Sequence, residues 1–235
     1  MANSITIGRV LLLFVAIGMI YTESHWLVFL AGWLIAAVFL GDCVDGWVAR
    51  KRGSTSKFGA VFDIAGDRVV ENVLWVVFAH LEMVPIWAPI IVITRSFTVD
   101  AVRAAALEQG FTPFGESTMM RSSVSRFLTA SRFSRAYYGW SKALAFVFLT
   151  WLFAWELPDA GGRFLDVVFD YQAARFVVWF LAYSSLALCV IRGLPVLYDS
   201  IYYLREEPPA PEPATAGEHE LNPLTPEASE HGRPV

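Results

Sequence analysis

The chain has 235 residues, 56% of them hydrophobic, with nine Trp, eighteen Phe and a formal charge of −4. That apolar excess excludes an ordinary soluble globular domain and points to a membrane protein. The acidic balance and the lack of a dominant basic stripe exclude nucleic acid as the partner; Cys43 and Cys189, far apart and without a CxxC pair, argue against a disulfide framework or a thiolate zinc site.

In chain order, hydropathy predicts an all-α polytopic membrane protein with six spans, roughly 4–21, 26–46, 61–82, 84–107, 139–156 and 174–203. Each is near or above the ~20 residues that a bilayer core requires. The first carries Arg9 and is followed by no small-residue cleavage site, so it reads as a retained helix. The TESH connection after it has no Lys or Arg. The second span ends on Asp42 and Asp45 and runs into a loop with Arg50, Lys51, Arg52 and Lys57. The third begins with Asp63 and Asp67, and the HLEMVP turn after it is again free of Lys and Arg. The fourth loop carries Arg121, Arg126, Arg132 and Arg135, and the fifth only Arg163 and Arg175 among several acids. Lys and Arg thus favour alternate loops, which places both termini and the aspartates on the cytoplasmic side of what reads as a bacterial inner membrane. Pro85, Pro89 and Pro195 fall within or at the ends of spans, where membrane helices tolerate them.

Two segments lie outside this pattern. Residues 118–135, TMMRSSVSRFLTASRFSR, space Met120, Val124, Phe127 and Leu128 at helical intervals among Ser and Arg, and read as an interfacial helix on anionic lipid, with a mobile loop as the alternative. Residues 206–235 are rich in Pro, Glu and Ala and are expected to be a disordered cytoplasmic tail beyond a membrane domain spanning 1–205.

Four aspartates beside such apolar sequence need an explanation, because intramembrane acids are costly. Asp42 and Asp45 are i,i+3 and Asp63 and Asp67 are i,i+4, so each pair shares a helix face. The short Gly53-Ser54-Thr55-Ser56 connection is expected to make the two helices antiparallel neighbours whose carboxylates converge. Unpaired, these carboxylates would repel one another. Oxygen-only ligation favours Mg²⁺, Mn²⁺ or Ca²⁺ over zinc, and His25, His80, His219 and His231 all lie elsewhere. Four acids can hold two ions, the arrangement that serves phosphoryl chemistry. Gly46, Ala49 and Gly59 are either packing residues or openings for a base or pyrophosphate. Arg50 is either a phosphate contact or a topology anchor.

Read as D-x2-D-G-x2-A-R-x8-G-x3-D-x3-D, residues 42–67 match every fixed position of the motif of the CDP-alcohol phosphatidyltransferase family, which the chain therefore resembles. The resemblance implies a six-helix integral membrane enzyme, a homodimer, that displaces CMP from a CDP-linked lipid or alcohol with two divalent metals. It implies that Asp42, Asp45 and Asp63 hold metal and, through it, the CDP pyrophosphate. Asp67 would touch metal and act as general base. Gly46, Ala49 and Gly59 would line the cytidine site, with Arg50 near phosphate.

Further stretches resemble phosphatidylglycerophosphate synthases. Residues Asn3 to Arg9 look like their N-x-L-T-x-x-R, and Asp67-Arg68 stands where they have Asp-Lys. RSFTVDAVRAAALEQG from Arg95 keeps the spacing of their R-E-x5-L-R-x6-G, with Ser96 for the acid and Val102 for the Leu. GWSKALA keeps Gly139 and Lys142 of their G-K-x-K-T, and the connection from Gly110 to Gly139 is longer than that subgroup suggests. Arg95 and Arg103, on roughly one face of the fourth span, and Lys142 could form an anion pocket for a phosphorylated acceptor, or could be ordinary positive-inside flanking. The function expected is transfer of a phosphatidyl group from CDP-diacylglycerol to glycerol 3-phosphate with Mg²⁺ or Mn²⁺. Inositol phosphate, inositol, serine or choline are the alternative acceptors. A divalent-cation transporter fits less well, since such sites lie at the membrane midplane between repeated halves. A catalytically dead scaffold is opposed by the intact motif.

Overall fold

The computed structural model describes the backbone of residues 2–52, 57–108, 131–158 and 163–205. The expected tail and the larger part of the expected interfacial segment lie outside the described residues. The described part is all-α: α1 (Ala2–Ile20), α2 (His25–Arg52), α3 (Lys57–His80), α4 (Trp87–Glu108), α5 (Arg132–Glu156), α6 (Arg163–Phe169) and α7 (Gln172–Arg205). The six long helices carry the six predicted apolar spans. The short α6 was not anticipated, its seven residues being too few to show a hydropathy peak. Arg132–Arg135, assigned from sequence to the interfacial helix, instead form the first turn of α5. Ser131 caps that turn, its side chain accepting from the Ser134 amide at 3.5 Å.

The α1–α2 and α3–α4 turns are built alike. Each leaves its helix through a glutamate at positive φ, Glu23 (53°) and Glu82 (59°), the left-handed position that commonly closes a helix. After Glu82, the Met83 and Val84 amides both donate to the Phe78 carbonyl, at 3.0 and 3.2 Å. Leu157 stands in extended backbone before Pro158 and ends α5. Pro195 is accommodated inside α7.

Packing follows a ring, α3–α1–α2–α5–α7–α4 and back to α3. Among the described residues, the direct α2–α3 pairing expected from their short connection is therefore not the main seam. Helix α1 lies between them and packs against both. Its approach depends on two glycines: a Cβ on Gly66 would meet the Thr6 methyl at 2.5 Å, and one on Gly41 would meet Arg9 Cγ and Cδ at 3.3 Å. At the centre, Phe146 of α5 lies parallel to Phe78 of α3 (5.9 Å between centroids) and Phe39 of α2 (6.0 Å), with Trp75 edge-on at 5.2 Å. Leu13, Ile35, Leu74 and Leu149 are fully buried around them.

Outward, the same helices present Leu11, Phe14, Trp33, Leu40, Phe97 and Phe180, each more than half exposed. Such an apolar exterior suits lipid rather than water. Among the described residues, two helices have apolar stretches long enough to cross a membrane, His25–Asp42 and Gln172–Asp199. Helices α3, α4 and α5 depart from that pattern because they turn charged side chains inward.

Candidate active site

Two helices supply an acidic cluster at one end of the ring, and a third faces it with an arginine. Asp42 comes from α2, and Asp63 and Asp67 from successive turns of α3. One carboxylate oxygen from each lies within 4.8 Å of the others. Their side chains are about two-fifths exposed (39%, 44% and 43%), so a polar ligand can reach them. Arg9 of α1, itself 6% exposed, faces all three. Its Nη1 lies 3.0 Å from Asp42 Oδ1 and 3.6 Å from Asp63 Oδ1, and its Nη2 lies 3.0 Å from Asp67 Oδ1. Its Nε donates to the Val38 carbonyl at 3.1 Å.

The expected convergence of Asp42, Asp63 and Asp67 is thus present, across α1 rather than by direct contact of α2 with α3. The side chains of Asp45, Ala49 and Arg50, with Gly46, fall outside the described residues, although α2 continues through their positions. Gly59 sits half-buried in the first turn of α3. An oxygen-only set this compact fits a hard divalent cation, which takes carboxylate ligands at about 2.0–2.6 Å. Asp42, Asp63 and Asp67 are the described residues that could hold one.

One turn deeper on the acidic face of α3, Glu71 is 2% exposed and organises a second cluster. Lys142 Nζ lies 2.9 Å from its Oε2, and the Tyr138 hydroxyl donates to its Oε1. Arg68 lies 3.6 Å from the same carboxylate and makes a two-point contact with Asp100 of α4, Nε and Nη2 donating at 2.8 and 3.1 Å. Lys142 and Arg192 both lie against the Tyr138 ring, at 5.1 and 5.6 Å. Arg192 also donates to Ser134 Oγ at 2.6 Å.

The predicted anion trio is therefore brought together unequally. Arg95 and Arg103 each bury an Nε with no hydrogen-bond partner among the described residues. Arg95, Arg68 and Arg192 bring positive charge to the surroundings of Arg103, and Asp100 brings negative charge. Arg95 passes over Gly193 of α7, where a Cβ would meet its Cγ at 2.8 Å. Lys142, by contrast, is already matched by Glu71. Ser96, where the resemblance expects an acid, is buried, its hydroxyl without a partner among the described residues. The α4 carboxylate that meets Arg68 is Asp100 instead.

Glu71, Asp100, Tyr138 and Arg192 are the members of this site that the sequence reading missed. Glu71 carried a usable signal, since Asp63, Asp67 and Glu71 repeat at four-residue spacing on one helix face. Arg192 carried another, as an ionisable residue in the middle of an apolar span.

A groove of about 360 Å³ opens between α2 and α5 beside Asp42. Apolar side chains line most of it, among them Phe39, Leu40, Leu144 and Val147, with Arg135 and Lys142 also on its wall. Charged groups beside an apolar channel suit an amphipathic ligand.

A family model described as CDP-alcohol phosphatidyltransferase matches residues 1–191. A CDP-diacylglycerol–glycerol-3-phosphate 3-phosphatidyltransferase of Pseudomonas fluorescens is 30% identical over 113 residues, 47% of this chain and 57% of the relative. The Bacillus subtilis (strain 168) protein of the same name is 31% identical over 62 residues, 26% of this chain and 32% of the relative. A phosphatidylinositol phosphate synthase of Mycobacterium marinum is 32% identical over 77 residues, 30% and 33% of the two chains. The chain thus spans between about a third and somewhat over half the length of these relatives.

Proposed function

We propose that this chain, which belongs to the CDP-alcohol phosphatidyltransferase family, transfers a phosphatidyl group from CDP-diacylglycerol to glycerol 3-phosphate and releases CMP. The observation that supports the choice of acceptor is the pair Arg95 and Arg103, half-buried on α4, each with a buried Nε unpartnered among the described residues. A buried N–H without an acceptor is costly, and a phosphorylated acceptor supplies the missing oxygens. A neutral alcohol does not.

In this reading Asp42, Asp45, Asp63 and Asp67 hold two divalent cations, Mg²⁺ or Mn²⁺. Bound there, such ions supply charge neutralisation at the pyrophosphate. Gly46, Ala49 and Gly59 leave room for the cytidine, and Arg50 stands near phosphate. The apolar groove between α2 and α5 accommodates lipid chains. The acceptor hydroxyl oxygen bonds to the phosphatidyl phosphorus while the bond from that phosphorus to the CMP oxygen breaks. The hydroxyl proton passes to Asp67, and CMP leaves with the bonding pair. Six long helices cross the membrane, with the termini and aspartates on the cytoplasmic side of a bacterial inner membrane. The family resemblance carries the expectation of a homodimer.

The test is CMP release by purified protein with CDP-diacylglycerol, Mn²⁺ or Mg²⁺ and a panel of alcohols. Glycerol 3-phosphate should give turnover, while serine, choline and inositol should not. Failure of every acceptor would sink the enzyme reading. Inositol phosphate is a second reading, supported by the Mycobacterium marinum relative and by its equal need for an anion pocket. Turnover with it, and none with glycerol 3-phosphate, would put it first.

The pocket has its own consequence. Arg103→Ala should raise the acceptor KM by roughly 10–100-fold, the loss of one charge-assisted hydrogen bond, while leaving the KM for CDP-diacylglycerol nearly unchanged. Arg95→Ala should act in the same direction. Unchanged acceptor kinetics in both variants would assign these arginines to topology alone.

A further inference from the structure

Arg9 is the only charged residue of α1, and the fold is shaped around it. The side chain is buried, its Nε is tied to the α2 backbone at Val38, and its two Nη atoms face three carboxylates from two other helices. Gly41 and Gly66 let α1 approach closely enough for this, because a methyl group at either would press on Arg9 or on Thr6 one turn before it. Thr6 itself donates to Asp63 Oδ1 at 3.5 Å.

Three carboxylates with oxygens this close repel one another unless a cation lies among them. A guanidinium is suited to that place: it does not lose its proton and it presents several donors in a fixed fork. We propose that Arg9 is the resident counter-cation of the aspartate cluster. It is a positioning residue that keeps Asp42, Asp63 and Asp67 convergent before a divalent cation arrives, and it opposes the binding of that cation by like charge. The proposal rests on the reading that these aspartates hold metal. It extends that reading by making the affinity of the free enzyme deliberately modest. The negative pyrophosphate of the CDP-lipid offsets the guanidinium, so metal and nucleotide favour each other's binding. Coupling of this kind is reciprocal: whatever Arg9 contributes to the metal-free cluster, a metal ion must overcome.

The experiment uses the full chain in detergent micelles without lipid substrate. Mn²⁺ affinity is read from the paramagnetic resonance of free Mn²⁺, and thermal unfolding is followed in EDTA and in saturating Mn²⁺. Arg9→Gln should bind Mn²⁺ about tenfold tighter than the wild type, within the usual range for coupling between sites. It should also melt lower than wild type in EDTA and gain more from Mn²⁺. Arg9→Lys keeps the charge but not the fork and should lie between the two; it decides the matter alone if Arg9→Gln does not fold. Affinity equal to or weaker than wild type in the variants overturns the role of Arg9. Absence of saturable Mn²⁺ binding in the wild type overturns the metal reading instead.

Discussion

Asp67→Asn is expected to lower kcat by roughly 10²–10⁴, the range for loss of a general base, while CDP-diacylglycerol and Mn²⁺ still bind. A hydroxyl must shed its proton as it attacks phosphorus, and the acceptor must do so beside groups that can receive it. Asp67 lies one turn beyond Asp63 on the same face of α3, with its side chain 43% exposed and Oδ1 turned toward Arg9 at 3.0 Å. Firm metal ligation weakens the basicity of a carboxylate, so the base should be the member of the cluster least committed to metal. Asparagine keeps the shape and the ability to accept a hydrogen bond from Arg9, but it cannot take the proton. Asp42→Asn and Asp63→Asn remove metal ligands and should weaken Mn²⁺ and CDP binding together. Measuring the two affinities beside turnover in all three variants separates the roles. Near-normal turnover in Asp67→Asn would remove it from the base position.

Legibility in the sequence divides along physical lines. The six long helices are visible because each carries an apolar run that stands out in the hydropathy of the chain, and the glycines and acids between them mark where the chain leaves that regime. The aspartates are visible because their spacing places each pair on one face whatever the tertiary arrangement. The route by which they meet is not visible. A short α2–α3 connection suggests direct contact, yet α1 occupies the seam, and only the tertiary fold shows that Gly41 and Gly66 make room for it. Arg9 could be read as a motif position but not as the partner of three carboxylates from helices far along the chain. Glu71 and Tyr138 were missed for a similar reason. A single acid inside VVENVLWV acquires meaning only when α5 brings Lys142 against it. The short α6 has too little sequence to carry a period at all.

Glu71→Ala should be the most damaging substitution outside the aspartate cluster. The carboxylate is 2% exposed and is the shared acceptor for Lys142 and Tyr138, with Arg68 at 3.6 Å. Removing it leaves Lys142, 17% exposed, without its counter-charge, and deleting one partner of a largely buried pair costs up to about 3–5 kcal/mol. That is a large share of the ~5–15 kcal/mol that holds a typical protein folded. Melting should fall by roughly 6–20 °C, taking ~2–4 °C per kcal/mol for a chain of this size. Glu71→Gln keeps acceptor oxygen for Tyr138 and should lose less. The double variant Glu71→Leu with Lys142→Met deletes both charges and should recover much of the stability, because an apolar pair often matches a buried ion pair. Its acceptor KM should stay near that of the wild type, since Lys142 is matched by Glu71 and the proposed pocket rests on Arg95 and Arg103. Thermal unfolding of the four proteins, followed by acceptor KM for those that remain folded, reads both effects. A Glu71→Ala protein as stable as wild type would show that water reaches this cluster and that Glu71 does not anchor α5 to α3.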